Sequence, residues 1–212
     1  MTDDIVDRLT GVTPGLDALR RRRPITREQL QASFDALFRP VSTRDVSQAE
    51  RELIAAFATG LAGTGDPTAL FYAERAEAAD PERAAVVGSE LTVAAASGPF
   101  GAYTEAGLRD ESTDGPRYAP DAAATSALGE RLAAALAHTH LLVLRPREAA
   151  AADLSRLLDA GWTPDGIVTL SQLVSFLAFQ QRVVTGLRVL AAAGLATAPD
   201  DTADAAAEEE AA

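Results

Sequence analysis

No cysteine occurs among the 212 residues. That absence excludes a disulfide framework, a thiolate metal site and any chemistry that runs through a nucleophilic or resolving thiol. Aromatic residues are scarce at 5%, so the interior must be built from alanine and leucine. Alanine is the strongest helix former, and runs such as AAFA, RLAAALA and REAAAADL favour helix. Strict apolar–polar alternation over strand length is missing, which argues against a large sheet. No run approaches the roughly 20 apolar residues of a membrane span, and the acidic start MTDDIVDRLTG lacks a signal-peptide core. The expectation is an all-α, cytoplasmic protein without a membrane partner.

Half of the net charge of −12 sits after Pro199, where six carboxylates occur without an arginine. The remaining body is only mildly acidic, and neutralisation of a nucleic-acid backbone is not expected of it. No large apolar residue follows Leu195. A tail of that composition cannot offset its ordering entropy, so residues 197–212 are expected to be a disordered, solubilising end.

Residues 1–25 read as an extended arm ending in Arg20 to Arg23, four cations that are solvated, paired with the acidic body or able to hold an anion. A helix capped by Thr26 runs to Phe38. Ser47 and Glu50 form a capping box for a helix to about Ala62, with Leu53, Phe57 and Leu61 on its main stripe. Glu52 lies opposite, beside Ala55, Ala56 and Thr59; such a small-residue face is either a second packing surface or open to solvent. Asp66 and Pro67 start the next helix, which fades at Asp80, and Glu82 to Ala96 form another. Residues 97–120 are a long irregular stretch anchored by Phe100, Tyr103 and Tyr118, either a lid or a linker between helical halves. A long helix follows over Ala122 to Val143, then one from Pro146 to Gly161. Ile167 to Leu190 is apolar on most sides, the pattern of a central helix.

Two segments carry a family resemblance. The stretch AERELIAAFATGLAGTGDPTALFYAERA resembles the active segment of the alkylhydroperoxidase D and carboxymuconolactone decarboxylase family, which has Glu, eleven residues, Cys, two residues, Cys, three residues, His. On Glu52 that spacing places Thr64 and Pro67 at the cysteines and Phe71 at the histidine. The segment from Leu157 to Leu187 is similar to the C-terminal part of the peroxidase-related branch, through Gly161, Trp162, Asp165, Phe179 and Arg182. Gln180 and Gln181 stand where that branch commonly has Asn. Together the matched parts span about residues 26–192. The resemblance implies an alkylhydroperoxidase D-like bundle over 26–196, with halves 26–96 and 121–192. It also implies a homo-oligomer and a site from which the redox groups have gone.

His138 and His140, the only histidines, diverge on a helix and cannot chelate one metal from it. A polar contact beside Arg145 or at a subunit interface suits them better, and no metal or other cofactor is expected. Arg182 sits among Phe176, Phe179, Val183 and Leu187 and calls for a carboxylate partner, for which the resemblance suggests Glu52. Tyr72, Tyr103, Gln172 and Gln180 could add hydrogen bonds to a pocket there. Two functions follow. One is a non-redox partner or regulatory subunit, for instance of a cysteine-bearing paralogue. The other is a cofactor-free acid–base enzyme using Glu52 and Arg182 on a small carboxylate or lactone.

Overall fold

The computed structural model of the chain describes residues 4–63 and 65–194, so Thr64 and the expected acidic tail 197–212 lie outside the described residues. The fold is all-α. Among the described residues β pairing is confined to an isolated bridge between Gly101 and Thr113. The described residues divide into two compact units, 33–181 and a unit formed from the two ends of the described chain, 4–32 and 182–194.

In the unit of the chain ends, the expected extended arm is helical. Asp4 caps α1 (Ile5–Thr10) by accepting from the Val6 and Asp7 amides, and Thr13 caps α2 (Pro14–Arg21). α3 (Pro24–Phe38) begins at its proline, two residues before the Thr26 start expected from the cap signal. Six- and eight-residue helices are too short to show a period in sequence. They are held by buried Ile5, Val6, Leu9 and Leu16 and by charge. Arg20 is buried against Asp4 at 2.9 Å and against Asp7, while Arg27 bridges Asp7 at 2.5 Å and Asp17 at 2.7 Å. The first of the four arginines is thus spent on this ion cluster.

The larger unit is organised by α4 (Gln48–Ala62). Its capping box forms as expected, the Ser47 hydroxyl accepting from the Glu50 amide while the Glu50 carboxylate accepts from the Ser47 amide. Every residue from Glu50 to Leu61 is buried. The face of Ala55, Ala56 and Thr59 is therefore a second packing surface, and α4 holds the central position expected for the C-terminal helix. Close approach on one side depends on Gly60, where a Cβ would lie 2.6 Å from Cδ1 of Leu91.

Asp66 caps α5 (Pro67–Ala79) and Asp80 caps α6 (Pro81–Ala94). The stretch 97–120 then contains a 3-10 turn at Ala106–Glu111. The helix expected over Ala122 to Val143 is two helices, α7 (Ala122–Leu128) and α8 (Glu130–Leu144). Gly129 separates them with φ 82° and ψ 146°, a backbone that L side chains rarely adopt. The leucine register of 128, 132 and 136 continues across the break, which hides it from a periodicity argument. A 3-10 turn at Pro146–Glu148 precedes α9 (Ala151–Asp159), and the chain ends its described part with α10 (Pro164–Ala192).

α10 is long and apolar enough to cross a membrane by length and composition, with a window of mean hydropathy 1.3 that is half buried. This corrects the expectation that no run approaches that length; a half-buried core helix has the same composition. Arg131 on α8 clasps the larger unit together. Its guanidinium donates to Glu50 at 2.6 Å, to the Gly161 carbonyl at 2.6 Å and to the Asp45 carbonyl at 2.5 Å. The same group stacks 4.0 Å from the Trp162 ring, whose indole N–H donates to the Arg131 carbonyl at 2.9 Å.

Candidate functional site

Glu52 is 3% exposed and fully engaged. Arg75, one helix on, donates from Nε to Oε2 at 2.8 Å and from Nη2 to Oε1, a bidentate grip, and Gln48 Nε2 donates to Oε1 at 2.5 Å. The guanidinium is flanked by rings, its carbon lying 5.4 Å from the centre of Phe71, 5.5 Å from Phe38 and 5.9 Å from Phe34. The side chain at the expected histidine position thus packs against the cation that neutralises Glu52. Pro67, at an expected cysteine position, is the first residue of α5.

Beside this pair, Tyr72 is completely buried and its hydroxyl donates to Oε1 of Gln180 at 2.8 Å, so these two candidates do meet. Burial pushes the Tyr72 phenol far above its ordinary range, which keeps it a hydrogen-bond donor. Nε2 of Gln180 is buried without a hydrogen-bond partner. The remaining candidates are placed elsewhere. Gln172 is exposed on α10, and Tyr103 lies under Arg147, 4.0 Å from its guanidinium carbon. Arg182, expected to be a buried cation, is exposed. The apolar residues around it in sequence misled, because Gln172, Ser175, Phe179 and Arg182 share the outward side of the helix.

A different place in the larger unit is open. A cavity of about 350 Å³ is lined by the segment 117–119, by α8 and by α9. Ala134, Ala137, Leu141 and Leu157 form its apolar wall, and Tyr118, His138, His140 and three arginines supply polarity. Arg145 is buried and spends Nε and Nη2 on Glu148, both at 2.7 Å, and Nη1 on the Gly115 carbonyl at 2.7 Å. Arg117, also 2.7 Å from Glu148, and Arg156, 2.5 Å from Asp153, are 69% and 73% exposed at the side chain. Glu148, hydrogen-bonded to Arg145 and close to Arg117, is held well below the carboxylate range, at about 2.

His138 is 5% exposed and neither ring nitrogen has a hydrogen-bond partner. Burial lowers its pKa, with Asp153 opposing. His140 is likewise lowered by burial, against a hydrogen bond with the Ala94 backbone, and lies 5.5 Å from the Tyr118 ring. Tyr118 in turn donates to Glu90 at 2.7 Å. Both histidines line the same cavity as Arg145, but the polar contact expected there is not made: His138 has none, and His140 bonds the Ala94 backbone instead. Their convergence on one cavity was hidden, since the wall needs three chain segments. Among the described residues no group of three or more metal-ligating side chains could hold a metal ion.

Comparison with protein-family models, curated proteins and solved structures finds no match to this chain.

Proposed function

We propose that this chain is a non-redox relative of the alkylhydroperoxidase D and carboxymuconolactone decarboxylase proteins, acting as a partner or regulatory subunit. The observation that carries this reading is the closed state of Glu52. Both oxygens of the one acidic group aligned with the family site are occupied by Arg75 and Gln48. An acid–base enzyme would need that carboxylate open to substrate, together with Arg182. Here the ion pair is packed under aromatic rings and serves α4–α5 docking. Self-association belongs to the same reading. Leu70 at 53%, Val168 at 55% and Phe179 at 46% exposure offer apolar surface, and a specific interface would bury more than about 1,000 Å².

The test mixes the purified chain with a cysteine-bearing member of that family from the same organism, at about 10 μM each, where a micromolar complex populates. Sedimentation velocity reports the complex, and peroxide consumption reports its effect. A joint species together with an altered rate is expected. Independent sedimentation with an unchanged rate would remove the partner reading.

A further inference from the structure

We propose that the cavity between the 117–119 segment, α8 and α9 is a binding site for a small monocarboxylate with an apolar body. Its volume of about 350 Å³ lies at the lower end of small-molecule sites, which run from ~300 to 1,000 Å³. The wall of Ala134, Ala137, Leu141 and Leu157 suits a ring or a short alkyl chain. Arg117 and Arg156 stand largely in solvent at its edge, and each donates to a protein carboxylate through one Nη1. The donors left on the two guanidinium groups can take a ligand carboxylate, the geometry at which arginine excels.

The charges select the class. In the lining, three guanidinium groups face one carboxylate, Asp153, itself committed to Arg156 and to the Ala150 amide at 2.9 Å. Glu148 and Glu90 stand behind Arg145 and Tyr118 and bring the count to three carboxylates against three guanidinium groups. With no net positive charge left, the spare guanidinium donors of Arg117 and Arg156 suit the single charge of a carboxylate better than the two of a phosphate monoester. His138 adds the second observation. It is a wall residue, 95% buried by its 5% exposure, and both ring nitrogens are unpartnered. A buried polar group in that state is costly; both nitrogens are closed off as the ring stands, so a hydroxyl or carbonyl on the ligand body would satisfy one of them once the imidazole turns toward the cavity. Tyr118, its hydroxyl donating to Glu90, keeps acceptor capacity in the lining.

This inference is independent of the partner-subunit reading, and its test does not involve a second protein. With two histidines in the chain, their imidazole proton resonances are a direct probe of the wall. The full chain is titrated with benzoate, with hexanoate and with the neutral isostere benzyl alcohol. At least one carboxylate is expected to shift a histidine resonance saturably below about 10 mM, a weak but specific range. Benzyl alcohol should bind at least tenfold more weakly. The variant Arg117→Gln/Arg156→Gln, altered only at exposed positions, should lose at least tenfold in affinity, and Ala137→Phe should abolish the shift. The proposal is overturned if neither carboxylate saturates, if the alcohol binds equally, or if the double arginine variant binds as the parent does.

Discussion

Arg75 closes over Glu52 from the neighbouring helix with two donors, and the same guanidinium rests among Phe34, Phe38 and Phe71. The pair is unequal in exposure, 4% for the Glu52 side chain and 32% for that of Arg75. Removing one partner from a buried pair strands the other charge, and the cost depends on which one is stranded. Arg75→Ala leaves the deeply buried carboxylate without a countercharge, held only by Gln48, and should cost about 3–5 kcal/mol of unfolding free energy. Glu52→Ala leaves a cation that reaches water and should cost less. Urea unfolding decides: an Arg75→Ala loss below about 1 kcal/mol, within the range of a surface pair, contradicts a structural role.

Stability should fall in two separate acid windows. The pKa of His138 is lowered from 6.5 by burial, so the unfolded chain takes up its proton first. Its contribution is complete above 6.5 and is lost as pH drops below that value towards the folded pKa. Glu148 is lowered from 4.5 to about 2 by Arg145 and Arg117, so its contribution persists above 4.5 and is lost between there and about 2. Glu50 moves the same way, its burial outweighed by Arg131 and the Ser47 cap. His140, lowered by burial as His138 is, shares the upper window, so unfolding midpoints measured across pH should show His138→Gln flattening part of the upper window and Glu148→Gln part of the lower. A single shared inflection in all three proteins would refute the assignment.

The purified chain should show no thiol-dependent peroxide reduction. That reaction needs a thiolate, and no cysteine exists to supply one. Consumption of hydrogen peroxide with a dithiol reductant should match a protein-free blank. Turnover above it, in a metal-free and contaminant-free preparation, would place the chemistry in other residues.

Gly129→Ala should destabilise the protein by about 1–3 kcal/mol, because alanine cannot hold φ 82°, ψ 146° without strain. The measurement is again the urea midpoint. An unchanged value would mean that α7 and α8 fuse in the variant, and helical circular dichroism would rise with it.

Local chemistry was what the sequence displayed best. Ser47 with Glu50, and Asp66 with Pro67, act within one turn, so the starts of α4 and α5 were readable from their spacing. The alanines around Glu52 offered burial as one of two readings, and the structure takes that one. Its partner did not, because 23 residues and a helix junction separate it from Arg75. A signal existed all the same, since Arg75 falls one helical turn after Phe71 on the same face. Arg182 shows the opposite error: apolar neighbours in sequence were counted without the phase of the helix, which turns it outward with Gln172 and Ser175. The cavity drew on three separated segments and left no single pattern to find.

Arg131 has a bearing on how the molecule assembles in time. Its partners lie 81, 86 and 30 residues away along the chain. Each of these bonds requires α8 to meet a distant segment, and closing such long loops carries an entropic cost before it is rewarded. The clasp is therefore expected to complete late in folding. Losing it should leave the folding rate nearly untouched and quicken unfolding, the behaviour of contacts absent from the transition state. Loss of this one guanidinium is thus expected to shorten the lifetime of the native state more than it slows its formation.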